Sequence, residues 1–233
     1  LTAPSVGERV ASIRRRIAEA AVRAGRDPGQ VRLLAVSKGQ PVARLLEASR
    51  AGVSLFGENY LQEAEGKVPL LPAGTEWHFI GRLQGNKVKR AVSLFSCLGS
   101  IHSLPLLREA ARRAEEAGKI VDALAEVNLA GEASKGGLAP AEILPLLEAS
   151  SELPSIRLRG LMAIPPYASD PEGTRPWFRM LAGLLERCRS EGWNGMTELS
   201  MGMSGDFEAA VEEGATLVRV GTALFGERER SGG

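Results

Sequence analysis

The sequence predicts an α/β fold, and within that class a closed (β/α)8 barrel of the TIM type. Three observations carry the prediction. Short apolar runs alternate with amphipathic segments along the chain; eight such runs are present; and no glycine-rich dinucleotide turn follows the first, as an open doubly wound sheet would favour. Strands separated by helices run parallel, and a parallel sheet is buried on both faces.

The first 30 residues read as a helix and its lead-in, ahead of a barrel over 31–226 and a tail at 227–233, all in one domain. In that helix Val10, Ile13 and Ile17 share one side while Arg14, Arg15 and Arg16 lie mostly elsewhere, the pattern of a solvated basic face. The strand candidates follow in order: "RLLAVSK", "SLFGEN", "WHFIG", "LFSCLGSI", "DALAEVNL", "IRLRGLMAI", "TELSMGM" and "TLVRVGTALFG". Several of the intervening helices stop at a glycine (Gly52, Gly118, Gly192, Gly214), the residue that best adopts a left-handed C-terminal cap.

Composition bounds the rest. With 44% hydrophobic and 24% charged residues in 233, the chain has ample material for a core. A formal net charge of +1 gives no bulk electrostatic case for nucleic acid or an anionic membrane. Cys97 and Cys188 are far apart and lack metal-type spacing, so free thiols in a reducing cytoplasm and no metal site are expected. The opening segment lacks the apolar core of a secretory signal, and nothing later is a continuous apolar span of about 20 residues. A cytoplasmic protein is the expectation.

In either parallel architecture the active face lies at the C-terminal ends of the strands. The unusual polar residues gather there: Lys38, Glu58, Asn59, His78, Arg82, Asn128, the "SMGMSGD" turn, Arg219, Gly221 and Thr222. Strand alternation puts Leu34, Val36 and Lys38 on one side, Leu217, Arg219 and Gly221 on one side, and His78 with Ile80. If these sides are interior, Lys38, His78 and Arg219 converge on the barrel mouth. Each has a plain alternative: Lys38 a surface charge, His78 a satisfied rim histidine, Arg219 an internal salt bridge to Glu126.

Ser204 sits where glycines and serines lead into an amphipathic helix, and the turn with Gly221 and Thr222 adjoins it. Barrels commonly bind phosphate after strands seven and eight, at free backbone N–H groups, although Ser204 could equally be a simple helix cap. A lysine, a phosphate cradle and a strand arginine together suit pyridoxal 5'-phosphate (PLP), which needs an amine for a Schiff base and a partner for its pyridine nitrogen. Arginine, a donor only, would hold that nitrogen unprotonated.

"AVSKGQP", "LFGENYLQE", "WHFIGRLQGNK", "VNLAGEASKGGL", "RGLMAIPP" and "LSMGMSGDFEAAVEEGATLVRVGTALFG" resemble, in order and from about Val31 to Gly226, the pyridoxal phosphate homeostasis protein family, also called the proline synthetase co-transcribed family. The resemblance implies an alanine racemase-like barrel, PLP fold type III without the C-terminal β-domain. It implies that Lys38 holds PLP as an aldimine and that Asn59 and His78 line the pocket. It further implies that Met201 lies against the cofactor, that Ser200, Ser204, Gly221 and Thr222 hold the phosphate, and that Arg219 faces the pyridine nitrogen. Lys135 marks a glycine-rich loop without an assigned role. The implied function is intracellular PLP (vitamin B6) homeostasis by a monomeric carrier or regulator that hands PLP to apo-enzymes. Two alternatives stay open: a PLP-dependent amino-acid racemase, and a phosphosugar aldolase that uses Lys38 for its own Schiff base without PLP.

Overall fold

Eight parallel strands close on themselves in the computed structural model, which describes residues 3–132 and 136–227. They are β1 (Arg32–Val36), β2 (Leu55–Glu58), β3 (Glu76–Phe79), β4 (Cys97–Ile101), β5 (Val121–Glu126), β6 (Ile156–Met162), β7 (Glu198–Ser200) and β8 (Leu217–Val220). Each pairs with the next, and β8 pairs with β1 to close the ring. The connecting helices are α2 (Val42–Arg50), α3 (Leu61–Lys67), α4 (Val88–Leu94), α5 (Leu104–Glu116), α6 (Ile143–Ser150), α7 (Arg175–Ser190) and α8 (Phe207–Glu212), with a final turn α9 (Thr222–Phe225).

The eight predicted strands are all present. The last is shorter than the apolar run suggests: the chain turns at Gly221 and "TALF" becomes α9. Two apolar regions hold the barrel. A large one fills the space between strands and helices, and a small one inside the ring comprises Leu34, Leu55, Cys97, Leu124, Met162 and Leu217, with Val36 and Ile80 packed against it. This establishes the interior side of β1, β3 and β8 as the one that alternation predicts.

Helix α1 (Val6–Arg23) precedes the barrel and buries Val6, Val10, Ile13, Ile17, Ala20 and Ala21. Ser5 starts it through a capping box with Glu8, which satisfies two otherwise unpaired backbone donors. Arg14 and Arg15 are exposed, as a solvated face requires, but Arg14 and Arg16 also make tertiary contacts. Arg16 makes a two-bond fork to Glu208 and lies 4.6 Å from the centre of the Phe207 ring, while Arg14 donates to the carbonyls of Ala51 and Gly52 at the end of α2. These contacts tie α1 across the β1–β8 seam, using guanidinium donors at positions that the hydrophobic pattern leaves polar. Among the described residues no helix is long and apolar enough to cross a membrane, and both cysteines are free and buried.

One close approach is set by sequence alone. A Cβ on Gly160 would lie 1.8 Å from the backbone oxygen of Glu198, so β6 and β7 reach their spacing only with glycine there.

Candidate functional site

The C-terminal mouth is built from turns that follow β1, β7 and β8. Ser37 and Lys38 come directly after β1; Ser37 is buried and Lys38 half-buried. Among the described residues Lys38 Nζ has no hydrogen-bond or ion-pair partner, so its amine is held only by its turn.

Arg219 lies on the interior side of β8 and is 4% exposed. Its guanidinium donates to Ser200 Oγ at 2.6 Å and to the Ala163 carbonyl at 2.9 Å. No ion pair to Glu126 forms, so the alternative of an internal salt bridge gives way to two neutral acceptors. Burial pulls the pKa of Arg219 down to about 10, with Asp206 and Glu126 opposing at longer range. The group stays charged at neutral pH, and it is fixed by β6 and β7 rather than by a counter-ion.

Ser204 Oγ accepts from the backbone N–H groups of Gly221, at 3.3 Å, and Ala223, at 3.1 Å. The serine-bearing turn after β7 and the small-residue turn after β8 are therefore joined, with Thr222 exposed between them. Gly202 makes the first turn possible: its φ is +86°, and a Cβ would come within 2.5 Å of Ala210 Cβ. Ser200, Ser204, Arg219, Gly221 and Thr222 thus share one side of the mouth. Backbone donors, three hydroxyls and a guanidinium suit a phosphorylated ligand, and the Lys38 amine, on the turn after the neighbouring strand β1, suits an aldehyde.

Two predicted residues are elsewhere. His78 faces the interior, as its parity requires, but at the opposite end of the barrel. Its Nε2 pairs with Glu76 at 2.8 Å, and it lines a basal cavity of 140 Å³ with Arg32, Cys97, Asp122 and Glu198. Its Nδ1 is buried without a partner. The reason is stagger: tilted strands bring His78, near the end of β3, level with Cys97, the first residue of β4. Depth in a barrel does not follow from distance to a strand's end. Met201 has the opposite parity to Ser200, and its fully buried side chain belongs to the strand–helix layer, not the mouth.

The other half of the mouth contains a residue the sequence reading used only as a salt-bridge partner. Glu126 ends β5 and lines a 320 Å³ cavity with Asn59, Arg82, Ser100, Asn128 and Ile164, among others. Burial raises its carboxyl above the usual carboxylate range, and His102, Arg219 and Arg82 counter this only in part. Its interior parity and strand-end position were signals available in the sequence. Asn59 also faces this cavity, with its Oδ1 buried and unpartnered. Gly81 allows the approach, because a Cβ there would meet the Asn59 carbonyl oxygen at 2.2 Å.

The family defined as the alanine racemase N-terminal domain matches residues 9–229. A pyridoxal phosphate homeostasis protein of Aquifex aeolicus is 44% identical over 95% of this chain and 98% of that protein. The chain belongs to the pyridoxal phosphate homeostasis protein family. A second such protein, from Pseudomonas aeruginosa, is 44% identical over 97% of this chain and 96% of its own. Among solved structures, PipY of Synechococcus elongatus with PLP bound superposes with a TM-score of 0.81 at 35% identity, covering 95% of this chain and all of PipY. The homeostasis-protein family and the closed alanine racemase-type barrel are those the sequence motifs imply.

Proposed function

We propose that this chain binds PLP at the β1, β7 and β8 mouth and serves PLP homeostasis, with Lys38 as the covalent anchor. When bound, PLP supplies an aldehyde that condenses with a lysine amine, nitrogen joining carbon as water leaves. The observation that carries the reading is the unpartnered Lys38 amine on the rim shared by the joined Ser204 and Gly221 turns and buried Arg219. Ser200, Ser204, Gly221 and Thr222 would hold the phosphate, and Arg219 would serve the pyridine nitrogen. Asn59 lines the approach from the other half. Relatives named for PLP homeostasis, and a PLP-bound PipY, support the ligand. The protein acts as a monomer in the cytoplasm, where its two free thiols stay reduced, and passes PLP to apo-enzymes.

The test is an absorption spectrum of the purified chain with PLP before and after borohydride, followed by peptide mapping. Wild type is expected to be yellow and to carry pyridoxyl on Lys38, and Lys38→Ala to lose both signals. Pyridoxyl on another lysine overturns the anchor, and a colourless protein trapping a sugar phosphate on Lys38 replaces the reading with an aldolase.

One observation favours a second reading, an amino-acid racemase. Glu126 is a half-buried carboxyl in the mouth whose pKa burial raises, the kind of group that can move protons. Sustained solvent deuterium exchange at Cα of an amino acid, lost in Glu126→Gln, would establish it.

A further inference from the structure

Beneath the Lys38 turn lies a buried charge network. Glu58, at the end of β2, is fully buried; Lys67, at the end of α3, is 7% exposed. Lys67 Nζ donates to the Ser37 carbonyl at 2.8 Å, to Glu58 Oε2 at 2.9 Å and to Glu63 Oε2. Glu58 Oε2 also accepts from Ser37 Oγ at 2.7 Å, and Glu58 Oε1 from the N–H of Asn59 at 2.7 Å. Glu63 Oε2 accepts from the N–H of Gly39 at 2.8 Å. The residues immediately before and after Lys38 are therefore both gripped, while Lys38 itself is not.

We propose that Glu58, Glu63 and Lys67 are positioning residues for Lys38. This rests on Lys38 being the PLP anchor. Stability alone does not explain the network, because a buried ion pair replaced by apolar groups is often neutral or better. What it provides is orientation. Gly39 has φ +67°, so the turn is tight and left-handed, and the peptide groups on either side of Lys38 point into the network. The Lys38 side chain is then directed away from it. The network also disposes of a competitor: an ammonium has three donors, and Lys67 uses all three within it. Lys38 is the amine of the two that remains available. Through the Asn59 N–H, the same Glu58 carboxylate ties the turn after β2 to the turn after β1.

The decisive variants are at Glu63, whose side chain is 33% exposed and so tolerates truncation. Glu63→Ala removes the acceptor for Gly39; Glu63→Gln keeps an oxygen there. Two ligands separate positioning from general damage: PLP, and pyridoxine 5'-phosphate, which has an alcohol in place of the aldehyde and forms no bond to lysine. In the full chain, Glu63→Ala is expected to slow PLP capture on Lys38, read by borohydride trapping and the visible band, by about tenfold, the scale of one lost charged hydrogen bond. Pyridoxine 5'-phosphate affinity stays within about twofold, and Glu63→Gln restores the capture rate. Wild-type capture by Glu63→Ala, or equal losses for both ligands, overturns the inference. Absence of label on Lys38 in the wild type removes the anchor reading itself, and the inference with it.

Discussion

Removing Lys67 tests the energetics of the same network. Lys67→Met keeps the stem's volume and deletes the ammonium. Glu58, with no exposed surface, then keeps three donors: Ser37 Oγ and the N–H groups of Asn59 and Tyr60. Breaking a buried pair from one side costs about 3–5 kcal/mol, since the surviving charge is left uncompensated. The three surviving hydrogen bonds favour the lower half, about 3–4 kcal/mol. A chain of this size loses about 2–4 °C of Tm per kcal/mol, so the melt should fall by roughly 6–16 °C. The double variant Glu58→Gln/Lys67→Met removes both charges and should recover more than half of that loss. Calorimetric melts of wild type, both single variants and the double variant at neutral pH close the cycle. If Lys67→Met melts within about 2 °C of wild type, the Glu58 charge does not depend on Lys67 and the reasoning fails.

Three further outcomes follow from particular residues. Burial makes Glu126 hold its proton above the pH at which the unfolded chain releases one, so stability falls as pH rises through that window. Glu126→Gln should therefore melt above wild type at neutral pH and match it below about pH 4; a gap independent of pH counts against this. Gly160→Ala drives a methyl group into the Glu198 carbonyl between two paired strands, and a loss of at least about 3 kcal/mol by urea titration is expected. Arg219→Met should fold, because it removes a desolvated charge, yet weaken PLP by about tenfold to a hundredfold in a spectral titration, the range of a charged hydrogen bond.

Much of this protein is legible without coordinates. Eight apolar runs separated by amphipathic segments admit few arrangements, because a parallel strand must be covered on both faces and connected through a helix. Parity then identifies the interior side of β1, β3 and β8, since side chains alternate whatever surrounds them. The gathering of Lys38, Ser200, Ser204, Arg219, Gly221 and Thr222 on one rim follows from those two facts. Depth and partnership did not follow. Strand stagger carried His78 to the base, whereas the outer position of Met201 is the one alternation from Ser200 already requires. Arg219 took Ser200 and Ala163 instead of Glu126, because the hydroxyl and carbonyl are within reach and the carboxylate is not. Periodicity is a local property of a chain, so the sequence alone determines which face a residue occupies. Height along a tilted barrel, and the choice among several possible partners, depend on how distant strands are registered, and only the tertiary structure decides them.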